Sequence, residues 1–331
     1  MAVDHRVAHH APPPSLGQGL VPDMPVEVEA RNYPPKAVKT SKGGKTVLTF
    51  LAKEMERMMP EPSMRSSLEE LPMVRVFTRP EVGDWAASLE AQVRVAQRSN
   101  PELHRLALDL TAGLSTQRDK LDVLRRWVLE EVEETAPIAH PATATLADRE
   151  GNALMLLRVL LREAGVPSEV WLVRDRYGAK DQKDGHPLLD AYDTPMLAVF
   201  PDGAKEPVMV MMSAKTIPLG YMTPGYQQAP AFRLHLLESE AESGLVRTPA
   251  VPNEHADSRV YALDVTLDAS GGGSVSGTIE LRGLEAILWR NELERLDRSR
   301  LNEAFTGAEL QRIFPYTPLD LESVEIEGEE A

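Results

Sequence analysis

Gly151-Asn-Ala-Leu-Met-Leu-Leu-Arg-Val-Leu-Leu-Arg-Glu-Ala164, followed by Gly165, Val166 and Pro167, is the stretch on which the fold of this 331-residue chain turns. Leu154, Met155, Leu156, Leu157, Val159, Leu160 and Leu161 leave almost no polar face. A helix apolar nearly all round belongs inside a domain. Gly just past the last turn and Pro two residues later form a helix stop. Short strands are expected next, at Glu169–Val173, Met196–Phe200 and Val208–Met212, with Asp202-Gly203 turning the chain between the last two.

Helices dominate upstream. Asp84 is a candidate cap for a helix running to about Arg98, and Asn100-Pro101 pairs an N-cap with proline at N1. Ser115 opens a third helix, with Leu121, Leu124, Val128 and Val132 at helical spacing. Glu130, Glu131, Glu133 and Glu134 read as its solvated face. Residues 1–45 are rich in Pro, Gly and polar residues and read as a disordered or partial tail, its His5, His9 and His10 included. Thr46–Lys53 and Val74–Thr78 have strand character within 46–80. Residues 237–257 read as a linker. Beyond it, Arg259–Asp268 and Ser274–Arg282 alternate around Gly271-Gly272-Gly273 as a hairpin. A helix over about Leu284–Leu296 follows, then one opened by Thr306 with Glu309 as a capping box. Leu319–Ile326 is expected to return as a strand.

Composition excludes several chemistries. The chain has no cysteine, so it has no disulfide, thiolate zinc site, iron–sulfur cluster or cysteine nucleophile. A net charge of −15 argues against non-specific nucleic-acid or anionic-membrane binding. No apolar run approaches the ~20 residues of a membrane span, and Met1–His10 lacks a signal-peptide core, so the chain as written is expected in the cytoplasm. A piece cut from a longer exported protein would be periplasmic. Ser41-Lys-Gly-Gly-Lys-Thr46 follows a Pro-rich tail rather than a buried strand and reads as a flexible turn, not a phosphate loop.

Four stretches together resemble the transglutaminase-like superfamily, which has the papain-like cysteine protease fold. Thr46–Pro72 resembles the end of an N-terminal β domain, Glu150–Pro167 the nucleophile helix, Tyr192–Val199 the histidine strand, and Met209–Pro224 the aspartate strand with its Pro218-Leu-Gly-Tyr-Met-Thr-Pro224 turn. The particular likeness is to a bacterial subfamily flanked by β domains of unknown function. It implies an α+β protein, with a transglutaminase-like core over 81–236 (helices packed on an antiparallel sheet) and a β-rich domain with helices over 258–328. In that family a thiolate at the helix start attacks an amide, and a His–Asp pair relays the proton.

Carried over by position, the three catalytic places fall on Glu150, Thr194 and Met211. None can perform the relay. Glu150 at a helix start is expected to act as a cap. The likeness also places Met209 and Met211 on a strand face turned toward the nucleophile helix, where methionine fills space. The leading expectation is therefore a catalytically inactive scaffold or protein/peptide-binding module, without cofactor or metal. The rival is an amidase- or peptidase-type hydrolase built from His140, Asp148 and Glu150, acting through carboxylate or metal chemistry. His186 and His104 are read as loop and surface residues.

Overall fold

The computed structural model describes residues 26–31, 38–42, 45–49, 73–78, 81–178, 188–213, 215–236, 242–252 and 255–328. The chain divides into two compact units, Met1–Trp85 and Ala86–Ala331.

In the first unit, β1 (Val26–Arg31) pairs antiparallel with β4 (Met73–Thr78), and β2 (Val38–Lys42) pairs with β3 (Lys45–Thr49). The segment 1–45, expected as a disordered tail, thus contains two strands. Val26, Val28 and Ala30 alternate with Glu27, Glu29 and Arg31, a period-two pattern outweighed in the sequence by the surrounding prolines. Ser41 and Thr46 face one another across the β2–β3 pair, so these ends of the phosphate-loop lookalike are strand residues. The histidines at 5, 9, 10 and 186 lie outside the described residues.

The second unit is built round a buried helix. Helix α1 (Val82–Ala96) crosses the boundary between the units, and Asp84 sits inside its first turn rather than capping it. Helix α2 (Pro101–Leu110) is capped by Asn100, whose Oδ1 accepts from the Leu103 amide at 2.8 Å. Helix α3 (Gln117–Glu131) is capped by Thr116, one residue beyond the expected Ser115. Then come β5 (Glu133–Glu134), a short helix α4 (Ala142–Asp148) that the sequence reading did not contain, β6 (Glu150–Gly151) and the central helix α5 (Ala153–Glu163). Every α5 residue from Ala153 to Leu161 is buried. At roughly 1.5–3 kcal/mol per fully buried large apolar side chain, this helix is a leading contributor to stability. It ends as its sequence indicates. Gly165 adopts φ +74°, the Val166 amide donates to the Leu161 carbonyl and the Gly165 amide to that of Arg162, a Schellman closure.

Helix α5 packs against α2, α3 and α4, and across β7 (Ser168–Val173) and β8 (Thr194–Val199). These strands belong to an antiparallel sheet of order β11-β10-β7-β8-β9, with β9 at Val208–Val210, β10 at Pro230–Arg233 and β11 at Gly244–Arg247. The expected linker 237–257 therefore supplies an edge strand. Strand alternation puts Trp171, Val173, Thr194, Met196, Ala198, Met209 and Ala231 on one face. Except for Thr194, they form a cluster with Met222 and Ala229 that includes no residue of α5. Helix α5 therefore covers the other face, where Val170, Leu172, Leu197, Val199 and Phe232 are buried.

After the sheet comes a hairpin, β12 (Ser258–Leu267) with β13 (Gly273–Arg282). Helix α6 (Leu284–Leu293) follows, then α7 (Leu301–Phe305), a π-helical turn (Thr306–Leu310) and a last turn α8 (Gln311–Ile313). Thr306 lies within a continuous helical run, so it opens no capping box. Leu319–Ile326, expected as a strand, pairs with none among the described residues. This region is fastened to the core through Ile287, which packs on Ile217 and Tyr221. Gly283, the residue before α6, has no side chain with which to cap the helix. Asp257 takes over that task, accepting from the Leu284 amide at 2.8 Å and from the Tyr221 hydroxyl at 2.9 Å. Burial and the neighbouring Asp257 carboxylate push the Tyr221 hydroxyl above its ordinary range, so it stays a donor.

Tyr221→Phe is expected to lower unfolding free energy by about 1–2 kcal/mol, and Asp257→Ala by more, because it leaves both a helix amide and a buried hydroxyl without their acceptor. Urea denaturation of the two variants checks the order.

Candidate functional site

The family likeness directs attention to the start of the central helix. Helix α5 is capped by Asn152 and not by Glu150. The Asn152 Oδ1 accepts from the Met155 amide at 2.8 Å. Its Nδ2 donates to Glu134 Oε1 at 2.9 Å and to the Ala136 carbonyl at 3.0 Å. Glu134 Oε2 accepts from the Ala153 amide at 2.7 Å. The Asn152 amide donates to Thr145 Oγ1 at 3.1 Å. The helix start is thus filled by the protein's own groups.

Backbone geometry sets this up. Arg149 turns left-handed at φ 60° to end α4, with its guanidinium 4.8 Å above the Trp127 ring. Glu150 and Gly151 then pair in parallel with Glu133 and Glu134, which sets the Glu134 carboxylate beside the first α5 amides. Gly151 has φ +141°, and a Cβ there would lie 2.4 Å from Thr145 Oγ1 and 2.7 Å from His140 Cδ2. Only glycine fits. Burial raises the Glu134 pKa, against the lowering effect of its hydrogen bonds from Ala153 and Asn152. Glu130, Glu131, Glu133 and Glu134 are all exposed, as expected of a solvated face, but Glu133 and Glu134 lie beyond α3. Helix α3 ends at Glu131, and the chain folds Glu134 back onto α5.

The positions read from the sequence do not gather here. Glu150 and Asp148 are exposed. His140 lies against Gly151, and its buried Nε2 has no hydrogen-bond partner among the described residues. Thr194 Oγ1 is 3.1 Å from Asp193 Oδ1 and 3.2 Å from the Tyr226 hydroxyl. By strand alternation it lies on the sheet face away from α5. Met211 is half-buried and packs on the cluster of Trp171, Met196 and Met209, also on that far face. The expected orientation of Met209 toward the helix is therefore reversed. Met211 lies just beyond the end of β9 and packs on the same cluster as Met209. Among the described residues, no group of three or more His, Cys, Asp and Glu is placed to hold a metal ion. No helix there is long and apolar enough to cross a membrane.

Asn152, Glu134, Gly151 and Thr145 are the residues that sequence reasoning missed. One signal was present: an Asn immediately before the apolar run is an N-cap pattern. Nothing local marked Glu134, which reaches the helix through a two-residue parallel bridge.

No family model matches the chain, and no curated protein matches it. Among solved structures, a candidate protease from Parabacteroides distasonis aligns with 75% of this chain and 49% of its own, at 20% identity and a TM-score of 0.48. The chain thus spans about half the length of that structure. A candidate cysteine protease from Cytophaga hutchinsonii aligns with 37% of this chain and 41% of its own, at 15% identity and a TM-score of 0.27. Both likenesses are too distant to give any residue a role.

Two substitutions separate the possible caps. Asn152→Ala is expected to cost about 1–2 kcal/mol in urea denaturation, and Glu150→Ala to stay within about 0.5 kcal/mol of the unaltered protein. Gly151→Ala should cost more than either, since both the backbone angle and the space oppose a side chain.

Proposed function

We propose that the chain is a catalytically silent relative of the transglutaminase-like superfamily that serves as a scaffold or peptide-binding module. The carrying observation is the start of α5, where Asn152 and Glu134 engage the Ala153 and Met155 amides. A thiol acyl transferase uses such a helix start to lower a thiol pKa. Here those two amides are spent on internal acceptors, and the chain has no thiol. Exposed apolar strand surface on β12 and β13 supports a binding role, with Val265 51% and Leu267 75% exposed.

The hydrolase reading has weaker support. A carboxylate–histidine catalyst needs its members within hydrogen-bond reach. The His140 ring is turned onto Gly151, and its Nε2 meets neither Asp148 nor Glu150.

The test is an amide-turnover assay on the full chain, using a fluorogenic peptide amide and a fluorescent primary amine with casein as acceptor, each with and without zinc. The expected rate equals that of buffer and is unchanged in the Glu150→Ala, His140→Ala double variant. A rate above buffer that disappears in the double variant would replace this reading with the hydrolase.

A further inference from the structure

The strongest unassigned feature lies at the base of the β12–β13 hairpin. A cavity of about 630 Å³ opens there between α6, α7 and the π-helical turn, within the size range of ligand sites. Its floor is a fixed polar network. Glu309, only 1% exposed, accepts from Arg259 at 2.9 Å and from the Trp289 indole at 2.6 Å. Arg259 also pairs with Glu285. The π-helical turn carries Glu309, and such insertions in helices are frequent at functional sites. Four carboxylates line the cavity against three guanidinium groups. Arg259 is held by two of those carboxylates, and Arg300 by Glu303 at 3.2 Å. Glu292 on the wall has no ion pair among the described residues, and Arg312 is the remaining cation.

Arg259 belongs to β12, and no residue of β13 lines the cavity. The hairpin is a two-stranded sheet, so the outer edge of β12 carries no ladder among the described residues. Its register puts Tyr261, Leu263, Val265 and Leu267 on the same face as Arg259, opposite Ile279 and Val275 of β13. The other face carries Asp264, Thr266, Ser276 and Thr278. An isolated ribbon with one apolar face in water is marginal on its own. An open strand edge is a template for a further strand.

We propose that this base is a peptide-docking site: an extended segment adds along the open edge of β12 and places a lysine or arginine side chain in the cavity. The proposal deepens the peptide-binding reading above and rests on it. An added strand supplies main-chain hydrogen bonds, and alternate side chains fill pockets on one face. A residue opposite Arg259 points to the cavity side. The surplus carboxylate, the Trp289 ring and the overall charge of −15 favour a basic side chain there.

The test uses the full chain and a fluorescently labelled seven-residue peptide alternating Thr and Val around a central Lys, titrated by anisotropy. Saturable binding is expected, about tenfold weaker when the Lys is replaced by norleucine, and lost when the ladder amides are N-methylated. Glu292→Gln, at an exposed position, should weaken the Lys peptide about threefold to tenfold with an unchanged melting temperature. Absence of saturation up to about 1 mM, equal binding of the norleucine peptide, or tighter binding of a peptide with Glu in place of Lys would each overturn the proposal. Such a failure leaves the amide-turnover result above intact. Turnover in that assay would displace the scaffold reading without altering this titration.

Discussion

A helix buried on nearly every side cannot leave its first amides to water. At α5 that constraint is met by Asn152 and by a carboxylate brought from a segment 18 residues earlier in the chain. The demand reaches outward. It fixes the parallel bridge between Glu133–Glu134 and Glu150–Gly151, the left-handed turn at Arg149 and the empty space that Gly151 must leave for Thr145 and His140. Helices α2, α3 and α4 and one face of the five-stranded sheet are then arranged around the apolar body of α5. Holding this helix start in place occupies Asn152, Glu134 and Thr145.

Local sequence patterns revealed much of this architecture. The apolar run with Gly165 and Pro167 marks α5 and its end, because both signals act within a few residues of one another. Asn100-Pro101 fixes the start of α2 for the same reason. The β12–β13 alternation around Gly271-Gly272-Gly273 specifies a hairpin without help from the rest of the chain. Where readings failed, tertiary contacts decided. Thr306 and Glu309 have the spacing of a capping box, yet Glu309 turns to Arg259 from a distant strand. Gly244–Arg247 is too short to announce a strand and becomes one by pairing with β10. Leu319–Ile326 has apolar residues at 319, 321, 324 and 326, which change phase midway, and finds no ladder among the described residues.

The candidate site was less legible than the fold. Counting back from Gly165 points to Glu150, but the helix begins three residues later. That shift exchanges an expected carboxylate cap for an amide cap and leaves Glu150 in solvent. Thr194 and Met211 share a similar fate. Their numbers follow from motif order, whereas their orientation follows from which sheet face α5 covers, a fact set by packing. Sequence order thus located these residues along the chain without bringing them together.

The placement of Glu134 sets what a sulfur introduced at this helix start would meet. A cysteine introduced at residue 152 would stand at a helix start, the position that ordinarily favours a thiolate. It would also stand beside a carboxylate already bonded to the neighbouring Ala153 amide. A nearby negative charge raises a thiol pKa, opposing the helix dipole. One substitution would supply the sulfur and lose the cap without yielding the nucleophile, and the carboxylate would have to go as well. A single exchange at this helix start therefore gives a protein with a weaker cap and a sulfur whose ionisation the neighbouring carboxylate opposes.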